Sequence, residues 1–517
     1  MKNFKACFTI CLLLFCSILK VNAQEYNIIS FGAKPDGVTK CTAAIQKAID
    51  ECSKNGGGIV IVPSGKYLSG TVYLKSNVEL HLNRNAMISG SLLKADYTAR
   101  SLVMCDAVEN VSITGEGMIN GNGENEVFQE SNKDRVRPHV LWLRNSKNVT
   151  VKDVTLKNAA FWAFRILGSE EVIVNGVRIY NHGATNNDGL DIDGKNIVVS
   201  NCIIDSEDDA LCFKSDRELP CENVVVSNCV IASDCNPIKM GTAATGGFKN
   251  IAISNCIIRK ASESSPSQKW KTKVNASSDS LGISGIALEV VDGGTMDQVT
   301  ITNISMKDIQ TPIFIRLGNR KGIKSTVKNI IISNIVATTE SYLPSSITGI
   351  AGNYVENVIL RDILIHARGL GTIEHANAPV PEKDNGYPEN RMFGITLPAY
   401  GLYVRHVKNL TMNNIQVKLL NPDARPAMIF EDVDNLTLNQ FQLDIPEKNQ
   451  SMLWLKQVTN ATFSGYNSAK PLQLFAKIEG DRTDAIRFIN NNFSNVKSVF
   501  NAEKEVNQKN ILKLSNY

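Results

Sequence analysis

The chain of 517 residues is 43% hydrophobic, 21% charged and only 7% aromatic. This balance excludes wholesale disorder and collagen-like structure and leaves ample chain to bury a core. The formal net charge of +4 is concentrated at the start, because without residues 1–23, which hold Lys2, Lys5 and Lys20, 52 basic residues face 51 acidic ones. No basic run with interleaved aromatics follows, so no nucleic-acid partner is expected.

Residues 1–23 read as an export signal: a positive start at Lys2 and Lys5, an apolar stretch from Cys7 to Leu19, and Val21-Asn22-Ala23 as a cleavage site. That stretch is too short to span a bilayer, and no other approaches the length required, so no membrane span is expected. The reading is an exported protein, periplasmic or secreted, whose residues 24–517 form one domain. Nine cysteines remain after the signal, an odd number that leaves at least one thiol per chain unpaired. Their pairing stays open, and no Cys/His spacing resembles a zinc site, so neither metal nor cofactor is expected.

Next in the chain, Thr42 to Cys52 has helical spacing, with Ala44, Ile45, Ala48, Ile49 and Cys52 on one face. Beyond it, internal repetition dominates. A polar residue, an apolar alternation, a small polar residue and a second alternation recur, as in Asn196-Ile-Val-Val-Ser-Asn-Cys-Ile-Ile and Asn223-Val-Val-Val-Ser-Asn-Cys-Val-Ile. Copies start at Asn148, Glu171, Asn196, Asn223, Asn250, Gln298, Asn329, Asn357, Asn409 and Asn435. Most starts follow one another at a similar spacing. The gaps from Asn250 to Gln298 and from Asn357 to Asn409 are close to double it, and each hides a further coil or an insertion. Apolar residues at alternate positions, split by turn-forming Asn or Gly, give short strands without helices. Units of this size describe an all-β fold, a single right-handed parallel β-helix, with the helix at 42–52 as its N-terminal cap. Cys202, Cys229 and Cys256 share one place in three successive coils and read as an inward apolar stack. The Ser/Lys-rich stretch 261–280 and the Pro-rich stretch 376–399 break the repeat and read as long loops.

The densest group of carboxylates is Asp188, Asp191, Asp193, Glu207, Asp208 and Asp209. Asp188 and Asp208 are separated by somewhat less than one coil, so they come from neighbouring coils on one face. Carboxylates held within several Å cannot all ionise freely, and one pKa rises while the others stay low. Cleavage of a glycosidic bond needs that division: an acid for the leaving oxygen and a base for water.

Asn186-Asn187-Asp188-Gly189 followed by Asp208-Asp209-Ala-Leu-Cys-Phe-Lys214-Ser resembles the paired acidic motifs of glycoside hydrolase family 28, the polygalacturonases. Phe31-Gly32-Ala33-Lys34-Pro35-Asp36-Gly37 and the run from Gly56 to Tyr67 are similar too, although β-helix pectin enzymes share these more widely. The resemblance runs from about residue 27 to 300. It implies an inverting hydrolase of a pectic polysaccharide or oligosaccharide, with Asp208 as general acid and Asp188 with Asp209 activating water. Lys214 matches a lysine found after the acidic pair. Two departures matter. Where the family carries Gly-His-Gly this chain reads Cys235-Asn236-Pro237, and where it carries Arg-Ile-Lys this chain reads Ala287-Leu288-Glu289. An anionic Glu289 would repel a uronate.

Substitutes are available. Lys239 lies one coil after Lys214, His182 precedes Asn186-Asn187-Asp188, Arg316 could reach a carboxylate from a later coil, and Trp162 could stack on a sugar ring. The candidate substrate-binding residues are therefore Lys214, Lys239, His182, Asn186, Arg316 and Trp162. The two departures suggest an uncommon linkage such as that of rhamnogalacturonan, and the long loops 261–280 and 376–399 are expected to wall the cleft, favouring exo-action. A carbohydrate-binding solenoid without catalysis and a polysaccharide lyase are the alternatives. Retention of all three aspartates argues against the first, and the lack of arginine near 235–242 and 287–289 against the second.

Overall fold

The computed structural model describes residues 24–129, 136–264 and 281–517. The proposed signal and residues 265–280 of the first long loop lie outside them. The described chain is mostly β and winds as a parallel β-helix-like stack. Each coil contributes three strands, and each strand pairs in parallel with its equivalents above and below. We call the three resulting sheets front (through Phe164–Leu167, Leu190–Asp193, Leu211–Phe213 and Ile238–Met240), middle (through Val172–Asn175, Ile197–Ser200 and Val224–Ser227) and back (through Arg178–Asn181, Ile203–Ser206 and Val230–Ser233).

The repeat starts are backbone corners. All ten of the residues named above, Asn148 to Asn435, adopt left-handed φ between 52° and 60°. Asn tolerates that region better than other L-residues because its short polar side chain bonds locally. Here the side chains also bond along the stack: Asn223 Nδ2 donates to Asn196 Oδ1 and Asn250 Nδ2 to Asn223 Oδ1, both at 2.9 Å. A second ladder at the small polar residue of each repeat includes Asn201, Asn228 and Asn255, again left-handed. Two fixed corners leave the middle strand its length and pin its register.

Between the corners the alternation buries one side of every strand. Cys202, Cys229 and Cys256 form an inward column that continues in register as Ile304, Ile335, Ile363 and Ile415. The thiols therefore occupy the place of aliphatic side chains, and each Sγ donates to the carbonyl two residues back. The nine cysteines that follow the proposed signal are all free thiols, and all are buried.

The two wide gaps in the repeat are insertions, not hidden coils. Asn409 Nδ2 donates directly to Asn357 Oδ1 at 2.8 Å, and Ile251 pairs with Val299 across the other gap. The extra chain leaves between Arg259 and Gly282 and between Ala367 and Leu402, each time at the corner joining back sheet to front sheet. The second insertion opens with a one-turn helix, Ile373–Ala376.

The first coil is capped by the helix Thr42–Lys54, which buries Ile45, Ala48, Ile49 and Cys52. Gln46 on this helix both donates to and accepts from the backbone of Tyr73, standing in for a missing strand at the sheet edge.

The left-handed corners are testable. Asn223→Ala should lower stability by about 1–2 kcal/mol through the left-handed penalty alone, whereas Asn223→Gly should retain most of it. Urea denaturation of the two variants checks this, and equal loss in both would assign the effect to the hydrogen-bond ladder instead.

Candidate active site

The acidic residues meet at the corner where back strands turn into front strands. Four such turns stack in register: Ala163 N donates to Asp188 O, Gly189 N to Asp209 O, and Ala210 N to Asn236 O. Trp162, Asp188, Asp209 and Asn236 thus form one column, although each is separated from the next by most of a coil or more of sequence. Gly189 is required there, because a Cβ would lie 2.6 Å from both Ala210 O and Ile204 Cγ2. The Ser206 hydroxyl donates to Asp208 O at 3.1 Å and fixes the Asp208–Asp209 turn from beneath. A second column stands beside the first on the front sheet, running Arg165, Asp191, Cys212, Lys239 and Ala287.

These columns line a pocket of about 420 Å³ bounded by Phe161, Trp162, Asn186, Asp188, Asp208, Asp209, Lys214, Cys235, Asn236, Lys239, Thr242, Tyr387 and Glu389. Two ammonium groups organise it, that of Lys239 buried and that of Lys214 partly buried. Lys214 Nζ lies 3.3 Å from Asp188 Oδ2, 3.4 Å from Asp191 Oδ1 and 4.9 Å from the centre of the Trp162 ring. Lys239 Nζ lies 3.1 Å from Asp209 Oδ2 and 3.7 Å from Glu289 Oε2. Burial, which would by itself favour loss of a lysine proton, is outweighed for both by the surrounding acids, so both values rise well above the ordinary one. Asp209 also accepts from Asn236 Nδ2 at 2.8 Å.

Two lysines do not neutralise the acids gathered around them. Burial first, then the neighbouring Asp191, pushes Asp188 well above the carboxylate range. Burial pushes Asp191 up to about 7 despite Lys214. Glu289 is pushed up to about 7 by burial, against the pull of Lys239. The pocket therefore holds protons near neutral pH, and Glu289 is not the unpaired anion that its sequence position suggests.

Of the residues singled out from sequence, Asp188, Asp208, Asp209, Lys214, Lys239, Asn186 and Trp162 converge on this pocket. His182 and Arg316 do not. His182 faces away, its Nε2 3.1 Å from Asp205 Oδ1, and lines a neighbouring pocket with Glu207 and Tyr180. It follows the back strand directly, so it points outward from that sheet before the chain turns. Arg316 is 1% exposed and donates to Gly349 O and Lys383 O, both at 2.7 Å. It holds the second insertion against the front sheet. Lys239 is likewise committed to Asp209 and Glu289 and presents little free charge.

Asp191 and Asn236 are additions. Asp191 was visible only as one acid in a cluster, since Leu190-Asp191-Ile192-Asp193 reads as ordinary strand alternation. Both of its carboxylate oxygens are buried without a hydrogen bond, Lys214 standing at ion-pair distance off hydrogen-bond geometry. Tyr387 and Glu389 come from the second insertion, whose path no local pattern reveals.

Asp191 predicts a pH effect on stability. The folded chain holds its proton to about 7 while its ordinary value is 3.8, so ionisation between these limits opposes folding. Stability from this group is highest below pH 4 and is lost as pH rises towards 7. Asp191→Asn should raise the urea midpoint at pH 8 and change it little at pH 4. An unaltered difference between the two pH values would mean that Asp191 is already ionised.

The chain matches the model of glycosyl hydrolases family 28 over residues 52–383. It is 29% identical over 250 residues to the exo-poly-alpha-D-galacturonosidase of Dickeya chrysanthemi, an alignment covering 36% of this chain and 41% of that one. It is also 29% identical over 227 residues to a probable polygalacturonase of Vitis vinifera, covering 38% and 46%. The chain thus spans under half the length of these relatives. Among solved structures, a hyperthermoactive exopolygalacturonase from Thermotoga maritima shares the fold, with a TM-score of 0.61 at 21% identity, covering 77% of this chain and 91% of that one. A family match across well over half of its residues makes this chain a member of glycoside hydrolase family 28.

Proposed function

We propose that the protein hydrolyses a glycosidic bond in a pectic polysaccharide or oligosaccharide with inversion at the anomeric carbon. The observation that carries the reading is the convergence of Asp188, Asp208 and Asp209 on one pocket with two cations and an aromatic wall. Asp208 gives its proton to the leaving glycosidic oxygen as the bond to the anomeric carbon breaks. Asp209, held by Lys239 and Asn236, takes a proton from the water that attacks the opposite face. Asp188, with Lys214 3.3 Å from its Oδ2, orients that water. No covalent intermediate forms. The insertion carrying Tyr387 and Glu389 walls the pocket at one end, which favours exo-action.

The lysine pair and apolar stretch within residues 1–23 support export. Among the described residues, no helix is long and apolar enough to cross a membrane. A right-handed winding is the hand expected of parallel strands joined within one stack.

Proton NMR of the purified protein with a panel of pectic oligosaccharides tests the reaction. A new reducing end of inverted configuration should form, and Asp208→Asn should slow it by about 10²–10⁴-fold, the usual contribution of a general acid. No cleavage across the panel, with ligand binding retained in both proteins, would replace the hydrolase by a carbohydrate-binding solenoid.

A further inference from the structure

Glu207, one of the six clustered acids, takes no part in the chemistry above, yet it is 1% exposed. It lines the neighbouring pocket of about 380 Å³ beside His182, and it immediately precedes Asp208 in the chain. A carboxylate this deeply buried needs donors.

The donors come from an irregular turn one coil earlier. Asn181 and Ser206 are paired ends of back strands, and Leu190 and Leu211 are paired starts of front strands. Residues 207–210 close this corner in one coil, whereas the turn carrying Asp188 takes residues 182–189 to cross the same gap. Excess chain brings backbone donors that side chains must receive where strand pairing does not. Two residues of this turn are left-handed, Gly183 at φ 88° and Asn186 at φ 49°. At Gly183 a Cβ would lie 2.7 Å from Glu124 Cβ.

Glu207 holds the turn at two points. Its Oε2 accepts from Gly183 N at 3.0 Å and from Asn187 Nδ2 at 2.8 Å. Asn187, itself fully buried, also donates to Asn181 O at 3.0 Å, and Asn181 Nδ2 donates to Asp188 O at 2.9 Å. Asn187 adjoins Asp188 and Glu207 adjoins Asp208, so one carboxylate oxygen joins the two acidic turns across neighbouring coils. Hydrogen bonds to an anion are stronger than those between neutral groups, which suits a brace on a turn outside the repeat. Arg137 clamps the outer part of the same turn through Thr185 and Asn186.

Resting on the hydrolase reading above, we infer that Glu207 is a positioning residue for the reaction. It fixes the spacing of Asp188 and Asp208 by tying the turn that carries one to the turn that carries the other, and it touches neither the substrate nor the reacting atoms.

Steady-state kinetics on a pectic oligosaccharide that the unmutated protein cleaves, together with amide hydrogen exchange of peptides covering 181–190, test this. Glu207→Ala should lower kcat by about tenfold to a hundredfold, the scale of a displaced catalytic group, with KM changed by less than about twofold. Exchange should quicken over 181–190 and stay unchanged in the middle sheet. Glu207→Gln should recover most of both kcat and protection. Its carbonyl oxygen can still accept from Gly183 and Asn187, and its amide then faces His182 Nδ1, which stands 4.0 Å from the present Oε1. Should Glu207→Ala fold poorly, Asn187→Ala breaks the same bond from the other side and should lower kcat in the same way. Unchanged kcat without this bond, equal losses in Glu207→Ala and Glu207→Gln, or exchange quickened throughout the stack would overturn the inference. If the unmutated protein cleaves nothing, the hydrolase reading fails by itself. Exchange then decides the brace: quickening confined to 181–190 upholds it, and unchanged exchange there overturns it.

Discussion

Everything in this molecule depends on coils lying one strand spacing apart, about 4.8 Å, in fixed register. That spacing turns residues a whole coil apart in sequence into side-by-side neighbours, and it does so only while each coil turns at the same places. The left-handed asparagines enforce those places. A slip by one residue would move every inward valine and isoleucine to solvent, and the acid column with them. Packing and function are therefore specified by the same corners.

The corner between back and front sheets can hold the acidic pocket because it is the one free to vary. The asparagine ladders bracket the middle strand and tolerate little change in length. At the third corner the chain departs for both long insertions, and the acid turns sit on the same edge. An excursion there leaves the strand pairings intact above and below, as the direct bond between Asn357 and Asn409 demonstrates. Loops of any length can be hung beside the pocket without disturbing the stack that positions its aspartates.

Much of this was legible in the chain. The ten repeat starts are all left-handed corners, the capping helix begins at Thr42 as its apolar face requires, and the cysteine column is an extension of an isoleucine column. What periodicity could not give was where extra chain goes. A gap of twice the usual spacing has the length of two coils, and only pairing across it distinguishes an insertion. For the same reason Tyr387 and Glu389 were invisible. Direction was the other blind spot. His182 is close in sequence to Asp188, but it leaves the end of a back strand outward, whereas Asp188 follows a turn. Arg316 looked like a free cation because a strand pattern says which side a residue faces and not what is laid over that side.

The replacement of a basic residue by Glu289 gains its sense from Lys239. A glutamate buried beside a pocket of acids would be costly if ionised and alone. Lys239 reaches it at 3.7 Å while holding Asp209 at 3.1 Å, so one ammonium serves both. The two acids then compete for it: burial moves Glu289 up to about 7, while Asp209 is the closer of the two and has Asn236 as a further donor. Glu289 can thus gain or lose a proton near neutral pH and set how firmly Lys239 supports Asp209. The residue that looks like a defect in the motif becomes part of the charge balance around Asp209.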